Sequence, residues 1–262
     1  MSRLLEGKIA IIYGGAGGLG AGVARTFARE GARVFLAGRT KESLDAVAGE
    51  ITAADGQADV AVVDATDEQA VESHLREVVD KAGRVDVSFN LISRGDVQGI
   101  PLVRMSTDDL LRAVETGLRG NFVTARTAAR QMAEQGSGVI LHLNSASGAG
   151  AMPGMGSTGP ADAATEAFMR YLAAEVGPQG IRVCGILTAG VAETLTDEKL
   201  AEVAGENAPT AAAAVEAIGG MAALRRAPRL ENVAEVAAFL ASDRAAGITG
   251  TMTNVTSGLV LR

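Results

Sequence analysis

The feature that most restricts the fold of this chain is a glycine-rich turn set between an apolar run and a helical pattern. Residues 8–13 are short, apolar and rich in isoleucine. They lead into Gly14, Gly15, Ala16, Gly17, Gly18, Leu19 and Gly20, and helical spacing of apolar residues then runs over 19–30. Glycine permits the sharp reversal such a turn needs, because it has no Cβ to clash. It also lets the backbone approach a ligand closely while the free amides of the first helical turn point at it, which makes a cradle for a pyrophosphate. A glycine turn that only serves packing is the alternative. The position after a first strand and before a helix favours dinucleotide binding.

The rest of the chain repeats this rhythm. Strand-like runs at 8–13, 33–37, 58–63, 85–91, 139–144, 181–187 and 249–255 alternate with helical patterns at 19–30, 41–54, 67–82, 107–135, 158–176 and 231–241. The runs are almost continuously apolar, as expected of strands covered by helices on both faces. The expected fold is therefore a single α/β domain over 1–262. It is a Rossmann-type, doubly wound, seven-stranded parallel sheet with helices on both faces. The block 107–135 is expected to hold two helices, broken near Gly117 and Gly120 by the cost of glycine in a helix. The alanine-rich segment 193–226 reads as a helical lid over the site, with a plain surface hairpin as the alternative.

Composition removes several function classes. With 47% hydrophobic and 21% charged residues the chain is globular, and no stretch approaches the roughly 18 apolar residues a membrane span requires. A net charge of −7 and a pI near 5.0 argue against a nucleic-acid partner, which would call for a basic face. Nothing at residues 1–8 resembles a secretory leader, so a cytoplasmic location is expected. The single cysteine, Cys184, sits in an apolar strand run and reads as a small buried hydrophobe. His142 reads as a packed strand residue and His74, on a charged helix, as solvated. No cluster has metal-ligand spacing.

The end of the second strand bears on cofactor choice. Arg39 follows Gly38 where an NAD-preferring protein supplies an acidic residue for the ribose 2′-hydroxyl, and an arginine suits a 2′-phosphate. NADP(H) is therefore expected over NAD(H), the alternative being a solvated surface charge.

The spacing of Gly14, Gly18 and Gly20, the run Gly180, Ile181, Arg182 and Val183, and the late residues Ala241, Ser242, Asp243, Ile248, Thr249 and Gly250 resemble the short-chain dehydrogenase/reductase family over roughly 5–258. The resemblance implies that Gly14, Gly18, Leu19 and Gly20 hold the dinucleotide and that Asp64 contacts its adenine. Asn90 matches the first residue of the family's Asn-Asn-Ala-Gly motif, whose remainder is replaced by Leu91, Ile92 and Ser93. It also implies a homo-oligomer, tetramer or dimer, acting on a small-molecule substrate. Alanine-rich faces at 124–133 and 163–174 would allow close helix packing.

The catalytic motif departs from the family. Asn144 to Gly148 fit the serine motif and place Ser145 at the serine position, while Pro153 and Gly154 fit the pair that precedes the tyrosine. Counting on, Thr158 takes the tyrosine position and Asp162 the lysine position, and the family's helix asparagine falls on Gly117. An aliphatic hydroxyl is far too weak an acid to replace a phenol, and a carboxylate reverses the field that an ammonium supplies. Tyr13 and Tyr171 are poorly placed as substitutes. Asp162 could serve as acid or base if burial raised its pKa, or it could be a helix-surface residue. Three functions remain open. One is an NADP(H)-dependent oxidoreductase that passes hydride to a carbonyl, imine or enone with a non-standard proton source. The second is an NADP(H)-binding pseudoenzyme or structural partner of an active relative, and the third a non-redox isomerase or lyase.

Overall fold

A computed structural model describes residues 3–261. The elements run β1 (Ile9–Tyr13), α1 (Gly18–Arg29), β2 (Arg33–Gly38), α2 (Lys41–Ala53), β3 (Gln57–Val62), α3 (Glu68–Ala82), β4 (Val87–Asn90), α4 (Thr107–Gln135), β5 (Gly138–Ser145), α5 (Thr158–Val176), β6 (Ile181–Thr188), α6 (Asp197–Ala204), α7 (Ala211–Met221), α8 (Leu230–Ala241) and β7 (Met252–Val255). The strands form one sheet in the order β3-β2-β1-β4-β5-β6-β7, and every neighbouring pair is parallel. The order reverses between β1 and β4. In doubly wound sheets that crevice, at the carboxyl ends of the strands, is where ligands bind.

Strand alternation divides the core in two. On one face Ala10, Ile12, Val34 and Leu36 pack with Val23 and Phe27 of α1, Leu44 of α2 and Val233 and Ala237 of α8. On the other, Ile9, Ile11, Tyr13 and Phe35 pack with Val71 and Leu75 of α3, Val123 and Met132 of α4 and Met169 of α5. Like the other edge strand, β7, the edge strand β3 departs from the expected continuous burial, since its residues are half-buried or exposed. Its Asp59 binds Arg33 at 2.8 Å and faces Lys81, so charge protects the sheet edge.

Two expectations are corrected here. The block 107–135 is a single helix of 29 residues, capped by the Ser106 hydroxyl, which accepts from the Asp109 amide. Gly117 and Gly120 do not break it, because both are buried against other elements. A Cβ on Gly120 would come within 2.5 Å of the Ile92 side chain, and one on Gly117 within 2.6 Å of Arg94 Cδ. Close packing of the loop after β4 on these glycines offsets their helix cost. His74 is not solvated: it is 4% exposed and meets the Tyr13 ring edge-on at 6.0 Å. Burial pushes its pKa down to about 4.

The segment 193–226 folds into α6 and α7, each started by a threonine whose hydroxyl accepts a backbone amide, Thr196 from Lys199 and Thr210 from Ala213. The only buried residue among the described ones of these two helices is Gly219. No helix among the described residues is long and apolar enough to cross a membrane.

Candidate active site

The carboxyl ends of β1, β4, β5 and β6 bring Gly14, Asn90, Ser145 and Thr188 to one edge of the sheet. Gly14 has φ +75°, and a Cβ there would lie 2.5 Å from the Leu91 carbonyl oxygen, so both the turn and the passing loop require glycine. A Cβ on Gly20 would collide with the Gly14 carbonyl. The N-cap residue of α1 is Gly17, which has no side chain to cap with, and the first turn carries no acidic residue. The amides of Gly18, Leu19 and Gly20 open the helix and have no intrahelical acceptor. A helix start with free donors and no competing carboxylate fits an anionic phosphate. Thr194 closes one side of this turn: its methyl group would lie 3.1 Å from a Cβ on Gly18, and its hydroxyl donates to the Val191 carbonyl at 3.0 Å. Sequence reasoning passed over Thr194, because it lies in the segment read only as a lid.

Arg39 is exposed just beyond β2, and Asp64 just beyond β3. Asp64 accepts from the amide and the hydroxyl of Thr66 at 2.9 and 2.7 Å. These bonds, with the field of Arg39 adding to them, hold its carboxyl below the ordinary aspartate value. Asn90 is buried; its amide nitrogen donates to Thr124 at 3.4 Å and its oxygen accepts from the Ile92 amide at 3.1 Å. It thereby anchors the start of loop 91–101, which crosses the glycine turn.

The reacting end is organised by Asp162. It is fully buried, which corrects the helix-surface alternative. One oxygen accepts from the Ser145 hydroxyl at 2.6 Å and the Ser145 amide at 3.1 Å, and the other from Arg94 Nη1 at 2.6 Å. Arg94 also forms a forked pair with Asp96, Nη2 to Oδ1 at 2.9 Å and Nε to Oδ2 at 3.2 Å. Its stem lies over the space left by Gly117. Burial pushes the Asp162 carboxyl above its ordinary value; the charge of Arg94 and the bonds from Ser145 and Arg94 pull it back only in part. Burial alone would lower the Arg94 guanidinium, but Asp162 and Asp96 more than reverse this and hold it above its ordinary value.

Thr158 stands beside this cluster, 3% exposed, and its hydroxyl accepts from Gln98 at 3.2 Å. Ser157 accepts from the Val97 amide and donates to the Val97 carbonyl, both at 2.8 Å. Loop 91–101 thus clamps the start of α5, and its Gln98 amide reaches the Val203 carbonyl in α6. The structure brings Ser145, Thr158, Asp162 and Gly117 together, and it adds Arg94, Asp96 and Gln98, which the sequence reading missed. The available signal was an arginine and an aspartate two residues apart, just past a strand that faces the order reversal.

The other titratable candidates lie elsewhere. Tyr13 is buried in the core layer under α3 and α4, and burial drives its phenol well above the ordinary value. Tyr171 is 74% exposed. His142 and Cys184 are buried in the sheet. Among the described residues no group of three or more His, Cys, Asp or Glu side chains is placed to hold a metal.

Comparison with known proteins agrees with this architecture. Residues 14–260 match the family model described as Enoyl-(Acyl carrier protein) reductase. A 3-oxoacyl-[acyl-carrier-protein] reductase from Thermotoga maritima is 32% identical over 257 residues, covering 98% of this chain and 99% of the relative. An oxidoreductase from Sarocladium schorii is 32% identical over 255 residues, covering 97% of this chain and 96% of its own. Among solved structures, a 7α-hydroxysteroid dehydrogenase complexed with NADH and 7-oxo glycochenodeoxycholic acid superposes with a TM-score of 0.84 at 28% identity. That match covers 98% of this chain and 96% of the other. With its seven-stranded parallel sheet, its glycine turn and these relatives spanning nearly its whole length, the chain belongs to the short-chain dehydrogenase/reductase family of oxidoreductases.

Proposed function

We propose that this protein is an NADP(H)-dependent oxidoreductase that transfers hydride to or from a small carbonyl, imine or enone substrate without a phenol as proton source. The observation that carries this reading is the intact glycine turn of β1–α1, with its free amides, at the same sheet edge as an accessible serine hydroxyl, Ser145. A bound dinucleotide supplies or accepts hydride at its nicotinamide ring. Gly14, Gly18, Leu19 and Gly20 would hold its pyrophosphate, Arg39 its 2′-phosphate and Asp64 the adenine end. Asn90 fixes loop 91–101 against the cradle, and Ser145 orients the reacting group of the substrate under the control of Asp162. Thr158, held by Gln98, shapes the pocket wall and moves no proton. The segment 193–226 serves as a lid that excludes water, coupled through Gln98 and Val203 to the loop that carries Arg94. The protein works in the cytoplasm as a homo-oligomer, tetramer or dimer. The partly exposed Phe122 of α4 and the exposed Tyr171 of α5 support an interface on these helices.

A second reading has its own support. Arg94 and Ser145 together saturate the buried carboxylate, so no strong acid faces the pocket, and this favours an NADP(H)-binding pseudoenzyme or a structural partner of an active relative. Calorimetric titration with NADPH, NADP and NADH, followed in the same sample by a carbonyl, imine and enone screen for NADPH consumption, separates the two. Binding with turnover supports the oxidoreductase, and binding without turnover supports the pseudoenzyme. Absence of binding removes both and leaves a non-redox isomerase or lyase.

A further inference from the structure

The geometry points to a reacting end that accepts hydrogen bonds and carries excess negative charge, and therefore selects a cationic nitrogen substrate, an iminium ion in the reducing direction. This rests on the hydride-transfer reading above and narrows its substrate class.

The first support is the direction of the Ser145 hydroxyl. A serine has one proton to donate and two lone pairs. At 2.6 Å that proton goes to Asp162 Oδ2, and one lone pair accepts from the Ser147 amide at 3.2 Å. What remains for a ligand is a lone pair. At Ser145 a neutral carbonyl oxygen meets a lone pair in place of a donor, whereas a protonated nitrogen supplies the donor itself.

The second support is the charge count. Arg94 is outnumbered by its two carboxylate partners, Asp162 at 2.6 Å and Asp96 at 2.9 Å. The nearby Arg112, whose stem approaches Gly95, is paired with Asp109 at 3.0 Å. The Arg94 and Asp96 side chains are each 16% exposed, so the cluster is open to solvent in part. A partly enclosed cleft with one sign in excess concentrates ligands of the opposite sign.

The third support is that the unusual residues fit one another. Gly117 leaves the room that the Arg94 stem fills, and Arg94 pairs with a carboxylate that would otherwise be buried alone. Gly148 in turn accommodates Asp162, since a Cβ there would lie 2.6 Å from Asp162 Cβ. Loss of function by drift predicts unmatched substitutions, while these form one packed, hydrogen-bonded unit.

The chemistry matches the site. Carbonyl reduction requires hydride at carbon and a proton at oxygen, and Ser145, whose proton is held by Asp162, does not offer it. In an iminium ion, hydride forms the new C–H bond while the electron pair of the C=N bond retreats to nitrogen. The cation becomes a neutral amine, the reduced nicotinamide dinucleotide becomes oxidised, and no proton moves.

The test uses the full chain with NADPH, at a pH that keeps the imine protonated, and two bicyclic substrates of similar shape, 3,4-dihydroisoquinolinium, which carries an N–H, and 1-tetralone. The expected result is a kcat/KM for the iminium at least about tenfold above that for the ketone, a preference that shrinks at high salt and in Asp96→Asn and Asp162→Asn. NADPH affinity, measured by calorimetry, stays unchanged in both variants. Should Asp162→Asn fail to fold, Asp96→Asn carries the test alone. Equal or better turnover of 1-tetralone overturns the charge selection and leaves the hydride-transfer reading standing. A preference for the iminium that neither variant alters also overturns it. NADPH binding with no consumption on either substrate overturns both readings.

Discussion

The two halves of the site are built on different physical principles. The β1–α1 half acts through backbone: Gly14, Gly18 and Gly20 matter for the side chains they lack, and their neighbours in sequence determine most of the geometry. The β5–α5 half acts through side-chain charge. Ser145, Asp162 and Arg94 come from three elements, and each is defined by its contact with the others. A backbone site of this kind survives changes elsewhere in the pocket. A charge cluster changes its chemistry when any one member changes. The difference accounts for a cradle contained in one turn standing beside a reacting end assembled from three segments.

The comparison can be broken most directly at Arg94. Arg94→Ala leaves Asp162 buried without its cation and is expected to cost about 3 to 5 kcal/mol in urea unfolding, with most of that recovered in the double variant that adds Asp162→Leu. Dinucleotide affinity per folded molecule should hold, since the cradle does not use Arg94. A cost below about 1 kcal/mol would show that the pair is not formed in solution.

Acid sensitivity sharpens the contrast by separating the charged site from the core. Burial pushes His142, with Cys184's backbone opposing it in part, down to about 4 from 6.5. The unfolded chain therefore binds the proton first, and stability present above pH 6.5 is lost as pH falls toward 4. A completed shift of this size corresponds to roughly 3 kcal/mol. Asp162 has the opposite sign: its raised carboxyl takes up a proton more readily when folded, so its ionisation weakens the fold as pH rises through its folded pKa. His142→Phe keeps a ring and has no proton to gain, and it should remove about half of the loss between pH 6.5 and 4, His74 accounting for the rest. An unchanged acid profile would mean that His142 is not held neutral and buried in solution.

Gly14→Ala attacks the other half. With φ at +75° and the Leu91 carbonyl in the way, the loop must shift, and dinucleotide affinity should fall by about 100-fold, near 2.7 kcal/mol. The Arg94–Asp162 pair should survive, so that Arg94→Ala keeps its stability cost in this background. The smallest effect is expected for Arg39→Ala: about a tenfold loss for NADPH, or 1.4 kcal/mol, with NADH unchanged. Equal losses for both would mean that Arg39 does not read the 2′-phosphate.

Legibility in the sequence followed the same division. The seven strand runs were readable because each depends on local composition, and the cradle because its glycines lie within one turn. The break predicted at Gly117 was wrong for a non-local reason, since the glycine cost is offset by Arg94 and Ile92, which come from a different segment. His74 looked solvated among charged neighbours because its burial depends on Tyr13 of β1, which is far from it in sequence and invisible to helix periodicity. Asp162 could be placed at the family's lysine position by counting, yet its burial and partners could not.

The sequence by itself determined the parallel α/β architecture, the glycine turn and, by counting along the motif, the expectation that Thr158 and Asp162 replace tyrosine and lysine. Those properties depend on residue type and short-range spacing. Only the tertiary structure decided what the replacement means. The cation that meets Asp162 stands 68 residues earlier in the chain, and the hydroxyl it holds 17 residues earlier. A buried carboxylate takes its chemistry from the groups packed against it, and those are chosen by the fold.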